Sequence, residues 1–328
     1  YREKNQEGQV FGGPMYVIKN GLPRKMLPLA YFFAIAGMIG CLPAFQSNQL
    51  IQITGDLAFS DIENFNVYGG LALASITGIV VIGGLKRIAE VASYLVPFMG
   101  SIYFGAMLIA IFLNLELVVP AFKLIFIDAF NGTAIAGGTF IGVLIYGVRR
   151  GAFSNEAGMG TESLVHGVAK VSNPVKQGLV AMTGPIFDTL IICTATALII
   201  LISGVWETST SQGVTLTSEA FNLLLGDLGG FILFACVICF GLSTIFTYSY
   251  YGATCARFIF GSFGMNFYIY LYIIGIFIYS IVPIDIAINI ADGAFAMMAI
   301  PTLISALWLA PKVMQESKNY FKLINNIS

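Results

Sequence analysis

Apolar residues along this chain fall in long runs, and the polar residues collect between them. A membrane-spanning helix needs about 20 mostly apolar residues. Eight runs approach or exceed that length, at roughly 26–53, 67–84, 91–113, 138–167, 177–203, 229–257, 266–284 and 290–310. The pattern predicts an all-α polytopic membrane protein of about eight transmembrane helices, with residues 1–328 forming a single transmembrane domain. The first run weakens toward its end, where QSNQLIQIT places amide and hydroxyl side chains near the membrane. The segment 114–137 carries an amphipathic piece, PAFKLIFIDAFNG, too short and too polar to span. It reads as a connecting helix at the outer interface.

Composition agrees with the runs. Hydrophobic residues make up 57% of the chain and charged residues 10%, with a mean hydropathy of +0.85. A soluble domain carries about 25% charged residues, so this chain cannot coat a surface that faces water on all sides. No basic block suggests nucleic acid. The five cysteines all lie in apolar runs, and the CxxC at Cys236 and Cys239 lacks a second ligand pair. They read as small packing residues rather than a metal site.

Lysine and arginine give the orientation. With the N-terminus in the cytoplasm, every one of them falls on the inner side except Lys123, Arg149 and Arg150. Lys123 lies in an outer segment, and the two arginines sit inside or beside the fourth run. This positive-inside bias predicts that both ends face the cytoplasm. The opening YREKNQEG reads as the polar exit from a preceding helix, so a further N-terminal part is expected.

The fourth run contains the least membrane-like stretch, GVRRGAFSNEAGMG at 147–160. A charge at the centre of a spanning helix costs about 2.5–3.5 kcal/mol. Arg149, Arg150, Glu156 and Asp188 would together demand roughly 10 kcal/mol in lipid, so they must face one another, loosened backbone or water. Gly147, Gly151, Gly158 and Gly160 allow the backbone to leave helical geometry there. Irregular backbone at membrane depth is tolerated only where protein or a water-filled cavity meets its polar groups. Freed N–H groups then suit an anion and freed carbonyls a cation, as in secondary transporters. A kinked helix with interfacial arginines is the bland alternative.

Two further polar groups interrupt apolar runs. In GLSTIFTYSYYG (241–252), Ser243, Thr244, Thr247 and Tyr248 form a hydroxyl-rich turn. Such oxygens suit Na⁺, although Ser and Thr also satisfy the carbonyl one turn back in ordinary spans. Gln46, Asn48 and Gln49 form a donor and acceptor cluster in the first run that suits a zwitterion.

At these residues the sequence resembles the alanine/glycine:cation symporters, also called sodium:alanine symporters. GGPMYVI (12–18), GGLKRIAEVASYLVPFMGSIY (83–103), STIFTYSYYG (243–252) and above all 147–200 carry the resemblance. It implies a LeuT-like fold of five-plus-five inverted repeats, of which the eight runs would be core helices three to ten. It also implies Na⁺, or H⁺, carried with alanine, glycine or another small neutral amino acid by alternating access. By matching positions, Phe153, Ser154, Asn155, Glu156, Ala157 and Gly158 would form the unwound segment of the sixth core helix. Gln46 would line the amino-acid pocket, and Ser243 and Thr244 would face the cation and substrate. Tyr248 stands where many members carry Trp, which alters the pocket wall, and Glu162 replaces a small or apolar residue in the inner vestibule.

Other functions fit less well. An intramembrane serine protease would need Ser154 and His166 as a pair, but twelve helical residues separate them by about 18 Å. No enzyme is expected. A channel would show a filter repeat or charged pore ring, and neither is present. A non-transporting membrane sensor or inactive remnant is the alternative if the chain is complete as written. The expected setting is the cell membrane, with a monomer in the lipid bilayer, a small amino acid as partner and Na⁺ as co-transported ion.

Overall fold

Proline and glycine decide where the apolar runs bend. The computed structural model describes residues 1–4, 8–130 and 139–325, so the end of the 114–137 connecting segment lies outside the described residues. Two short antiparallel strands, Glu3–Lys4 and Val10–Phe11, open the chain. Helix α1 (Pro14–Gly21) then leads to α2 (Leu27–Gly40). Pro43 cannot donate an intrahelical bond, so the first predicted run is not one helix. It restarts at α3 (Ala44–Ala58) after a turn.

Next come α4 (Phe65–Val81), α5 (Gly84–Leu113), the connecting helix α6 (Leu115–Ala129) and α7 (Thr139–Asn155). A short helix, α8 (Glu162–His166), follows a break. Helix α9 (Pro174–Pro185) passes into a π-helical stretch, Ile186–Cys193, and on into α10 (Thr194–Ser203). The π stretch begins directly after Pro185, which removes a backbone donor from the helical ladder. Two shorter helices, α11 (Val205–Thr208) and α12 (Val214–Leu225), precede the longest ones.

Helix α13 (Asp227–Ile281) covers both the sixth and the seventh predicted runs. Gly261 divides it, with φ 70° and ψ −157°, a region open essentially to glycine alone. The helix ends at extended Val282, which the following Pro283 holds out of helical geometry. Helix α14 (Ile284–Asn325) continues well past the predicted 290–310 into a polar stretch.

Among the described residues, five helical stretches are long and apolar enough to cross a membrane: Arg24–Ala58, Lys86–Leu113, Pro174–Ser203, Asp227–Ile281 and Ile284–Ile324. Large apolar side chains such as Ile35, Phe112, Leu190 and Phe263 lie exposed on their outer faces, a surface that only lipid or another protein can cover. The chain is a multi-pass, mostly helical membrane protein. Its main core gathers where α13 packs on α2, α3 and α4 and where α14 packs on α2, with Phe33, Ile245, Tyr272, Ile276 and Met298 fully buried. A second core joins α5, α10, α12 and the start of α13 through Met107, Ile199, Phe221 and Leu233.

Candidate functional site

The break in the fourth run is present, but it begins at Glu156 rather than at Phe153. Phe153, Ser154 and Asn155 are helical, so only Glu156, Ala157 and Gly158 of the six predicted residues lie in it. The reason is local. The Asn155 side-chain oxygen accepts a bond from the Ala157 N–H at 2.9 Å, an Asx turn that competes with the helix. Positive φ then follows at Glu156 (56°), Gly158 (82°) and Gly160 (91°). A Cβ on Gly160 would stand 2.5 Å from Pro14 Cγ and 2.6 Å from Thr302 Oγ1. The break is therefore clamped between the start of α1 and α14.

Aromatic rings from three other helices stand against this break. Phe153 meets Phe45 of α3 edge-on at 5.4 Å and Phe295 of α14 at 5.3 Å. Phe295 also meets Tyr248 of α13 at 6.4 Å, and Tyr248 tilts onto Tyr251 at 5.6 Å. Phe153 and Tyr248 thus share a wall through Phe295. Glu156 lies beside Thr161 and Tyr248. Nearby in α3, Gln46 Oε1 is buried and, among the described residues, without a hydrogen-bond partner. Buried polar atoms are normally satisfied, so it can receive a donor or a cation from a ligand.

The amide cluster of α3 separates into different roles. Asn48 donates to Val282 O at 2.6 Å and ties α3 to the end of α13. Gln49 donates to Gln52 at 2.9 Å. Of the three, Gln46 alone keeps a buried oxygen unpartnered. In α13, Ser243 and Thr244 both donate to Phe240 O at 2.9 Å, and Thr247 donates to Ser243 O at 2.9 Å. Their hydroxyl oxygens keep acceptor capacity. Thr244 shares a helix face with Tyr248, one turn on.

Ser154 and Asn155 turn toward the π stretch. Ser154 donates to Asp188 at 2.7 Å, and Asn155 donates to Thr189 at 2.9 Å. Ala157 and Gly158 are exposed. His166 instead pairs through Nδ1 with Gln177 at 2.6 Å, so Ser154 and His166 take different partners. Arg149 and Arg150 both face Asp292 of α14, the former at 3.7 Å and the latter in close contact. The Arg150 guanidinium also lies over Tyr146 and over Phe153, at 5.6 and 5.4 Å from the ring centroids.

Asp292, Phe295 and Thr161 are the neighbours that sequence reading missed. Asp292 had a visible signal, because a carboxylate within an apolar run asks for a partner. Phe295 lies three residues later, on the same face.

The family model of the sodium:alanine symporters matches residues 1–326. The chain belongs to the sodium:alanine symporter family. It is a transporter and not an enzyme, and its activity is Na⁺-coupled amino-acid symport. The symporter is 36% identical over 324 residues to the uncharacterized transporter YflA of Bacillus subtilis, covering 95% of this chain and 67% of that relative. It is 34% identical to the sodium/alanine symporter AgcS of Methanococcus maripaludis, over 99% of this chain and 73% of that protein. To the probable sodium/glutamine symporter GlnT of B. subtilis it is 32% identical, over 98% of this chain and 66% of the relative.

Proposed function

We propose that this symporter carries alanine, glycine or another small neutral amino acid with Na⁺, or with H⁺ in its place, across the cell membrane. The amino acid would sit at the Glu156–Thr161 break, walled by Phe153, Phe295 and Tyr248, with Gln46 supplying a polar contact. Its carboxylate would take N–H groups of the broken backbone around Gly158, beside Ala157 whose own N–H is held by Asn155, and its amine the freed carbonyls. Ser154 and Asn155 would hold the end of α7 in register through the π stretch rather than touch the substrate. Na⁺ would lie against the hydroxyls of Ser243 and Thr244.

The observation that carries this reading is a helix broken inside an apolar run, with a buried amide oxygen, Gln46 Oε1, that has no hydrogen-bond partner among the described residues. The contacting rings of Phe45, Phe153, Phe295 and Tyr248 would favour a small side chain. Eight spans, a LeuT-like arrangement as core helices three to ten, one transmembrane domain, cytoplasmic termini and a monomer complete the proposal. Radiolabelled alanine uptake into proteoliposomes tests it. Uptake is expected to follow an inward Na⁺ gradient and to be lost in Thr244→Ala. Uptake indifferent to Na⁺ would overturn the coupling ion, and no uptake of any small amino acid would overturn the substrate class.

A further inference from the structure

Among the described residues, the Glu156 carboxylate has no cationic partner. It sits at φ 56°, a conformation uncommon for a residue with a side chain, at the first position of the break. The titratable and polar groups around it come from several elements: Cys41 at the end of α2, Thr161 and Glu162 across the break, Asp188 of the π stretch, and Tyr248 and Tyr251 of α13, with Thr302 of α14 bonded to Met159 O within the break. All are neutral or themselves acidic. Among the described residues, no lysine or arginine makes an ion pair with Glu156, and Arg149 and Arg150 are engaged by Asp292.

Hydroxyls can donate to this carboxylate, but none carries a charge to offset it. Thr161 is fully buried beside it, with its hydroxyl toward the carboxylate. A carboxylate held among such groups inside a membrane is costly, and such residues ordinarily mark an ion or substrate pathway.

We propose that Glu156 is the counter-charge of the transport site: a monovalent cation settles against its carboxylate, with Thr161 and Tyr248 as flanking oxygens, when the site is loaded. Two sources share that chemistry, the ammonium group of the amino acid and the co-transported Na⁺. The inference rests on the transport reading above and adds a residue to its site.

The test is Glu156→Gln, which keeps the shape and removes the charge, in the purified protein. Binding of ²²Na⁺ alone and binding of radiolabelled alanine at saturating Na⁺ are measured separately. If the cation is the ammonium, the alanine Kd rises by about tenfold or more, as loss of a charge-assisted contact implies, while Na⁺ binding holds. If it is Na⁺, the Na⁺ half-saturation rises by a similar factor. Unchanged constants for both ligands would overturn the proposal and would identify Glu156 as a protonated structural acid. Should Glu156→Gln fail to elute as a folded species, Glu156→Asp carries the test. It keeps the charge but draws it back, so a weaker but definite shift in one constant is expected, and none would overturn the idea. Wild-type protein that binds neither ligand would sink the transport reading itself, and this inference with it.

Discussion

Gly160 and Asp292 carry different kinds of constraint at the scale of the single residue. At Gly160, positive φ and close neighbours act together. A methyl group there meets Pro14, Thr302 and Phe33, each within 2.9 Å, in a conformation that costs a residue with a Cβ about 1–3 kcal/mol. Gly160→Ala is expected to lower the thermal unfolding midpoint sharply, measured on detergent-solubilised protein. At Asp292 the constraint is charge. Asp292 is only 14% exposed and Arg150 29%, whereas Arg149 is 55% exposed and contributes little. Removing Asp292 leaves the partly buried Arg150 uncompensated, at a cost of about 3–5 kcal/mol. The double variant Arg150→Ala/Asp292→Ala is therefore expected to unfold at a higher temperature than Asp292→Ala alone. An equal or lower midpoint would show that the pair is not the source of the cost.

At the scale of elements, two irregular segments hold one another. The π stretch Ile186–Cys193 presents Asp188 and Thr189 to Ser154 and Asn155, at the last turn of α7. Asn155 both stops that helix, through Ala157, and tethers it, through Thr189. Asn155→Ala removes two hydrogen bonds worth about 0.5–1.5 kcal/mol each. It should reduce alanine uptake by about tenfold, and Thr189→Val, which removes the Asn155 tether and a bond to Asp188 but leaves the Asx turn intact, by less. Equal effects would mean that the Asx turn contributes nothing. In α13, Gly261→Ala is expected to cost about 1–3 kcal/mol, read as a lower thermal midpoint, because it would press the kink between the two halves toward a straight helix.

The runs and the broken helix were legible because hydropathy and glycine are properties of the sequence itself. The break's first residue was not, because the Asn155 side chain, rather than the glycines, ends α7. Nor were the roles of Asn48 and Gln49, which depend on α13 and on Gln52. Phe295 was hidden for the same reason. Apolar residues in an apolar run look alike until the helices are packed.

At the scale of the whole molecule, the distribution of lysine and arginine predicts which side each segment faces, and no packing contact can answer that. Arg257 stacks on Phe11 at 3.7 Å, and Arg2 donates to Ala169 O at 3.0 Å. Arg2 and Arg257, both assigned to the inner side, thus each pack against another segment assigned to that side. In the α10–α13 connection assigned to the outer side, Glu207 is exposed, while Glu219 is half-buried in α12 and accepts from the Ser211 hydroxyl. In a background with the five native cysteines replaced, Glu207→Cys should react with a membrane-impermeant maleimide applied to intact cells. Lys318→Cys, near the end of α14, should react only after the membrane is opened. The positive-inside bias is set by the short loops and by the charges nearest the spans, so both labels must fall as predicted together. Reversal of both would invert the molecule and place Arg2 and Arg257 outside. Reaction of both in intact cells would require an even number of crossings between α11 and the end of α14, instead of the three predicted, and would break the assignment of Gly261 as the turn between two spans.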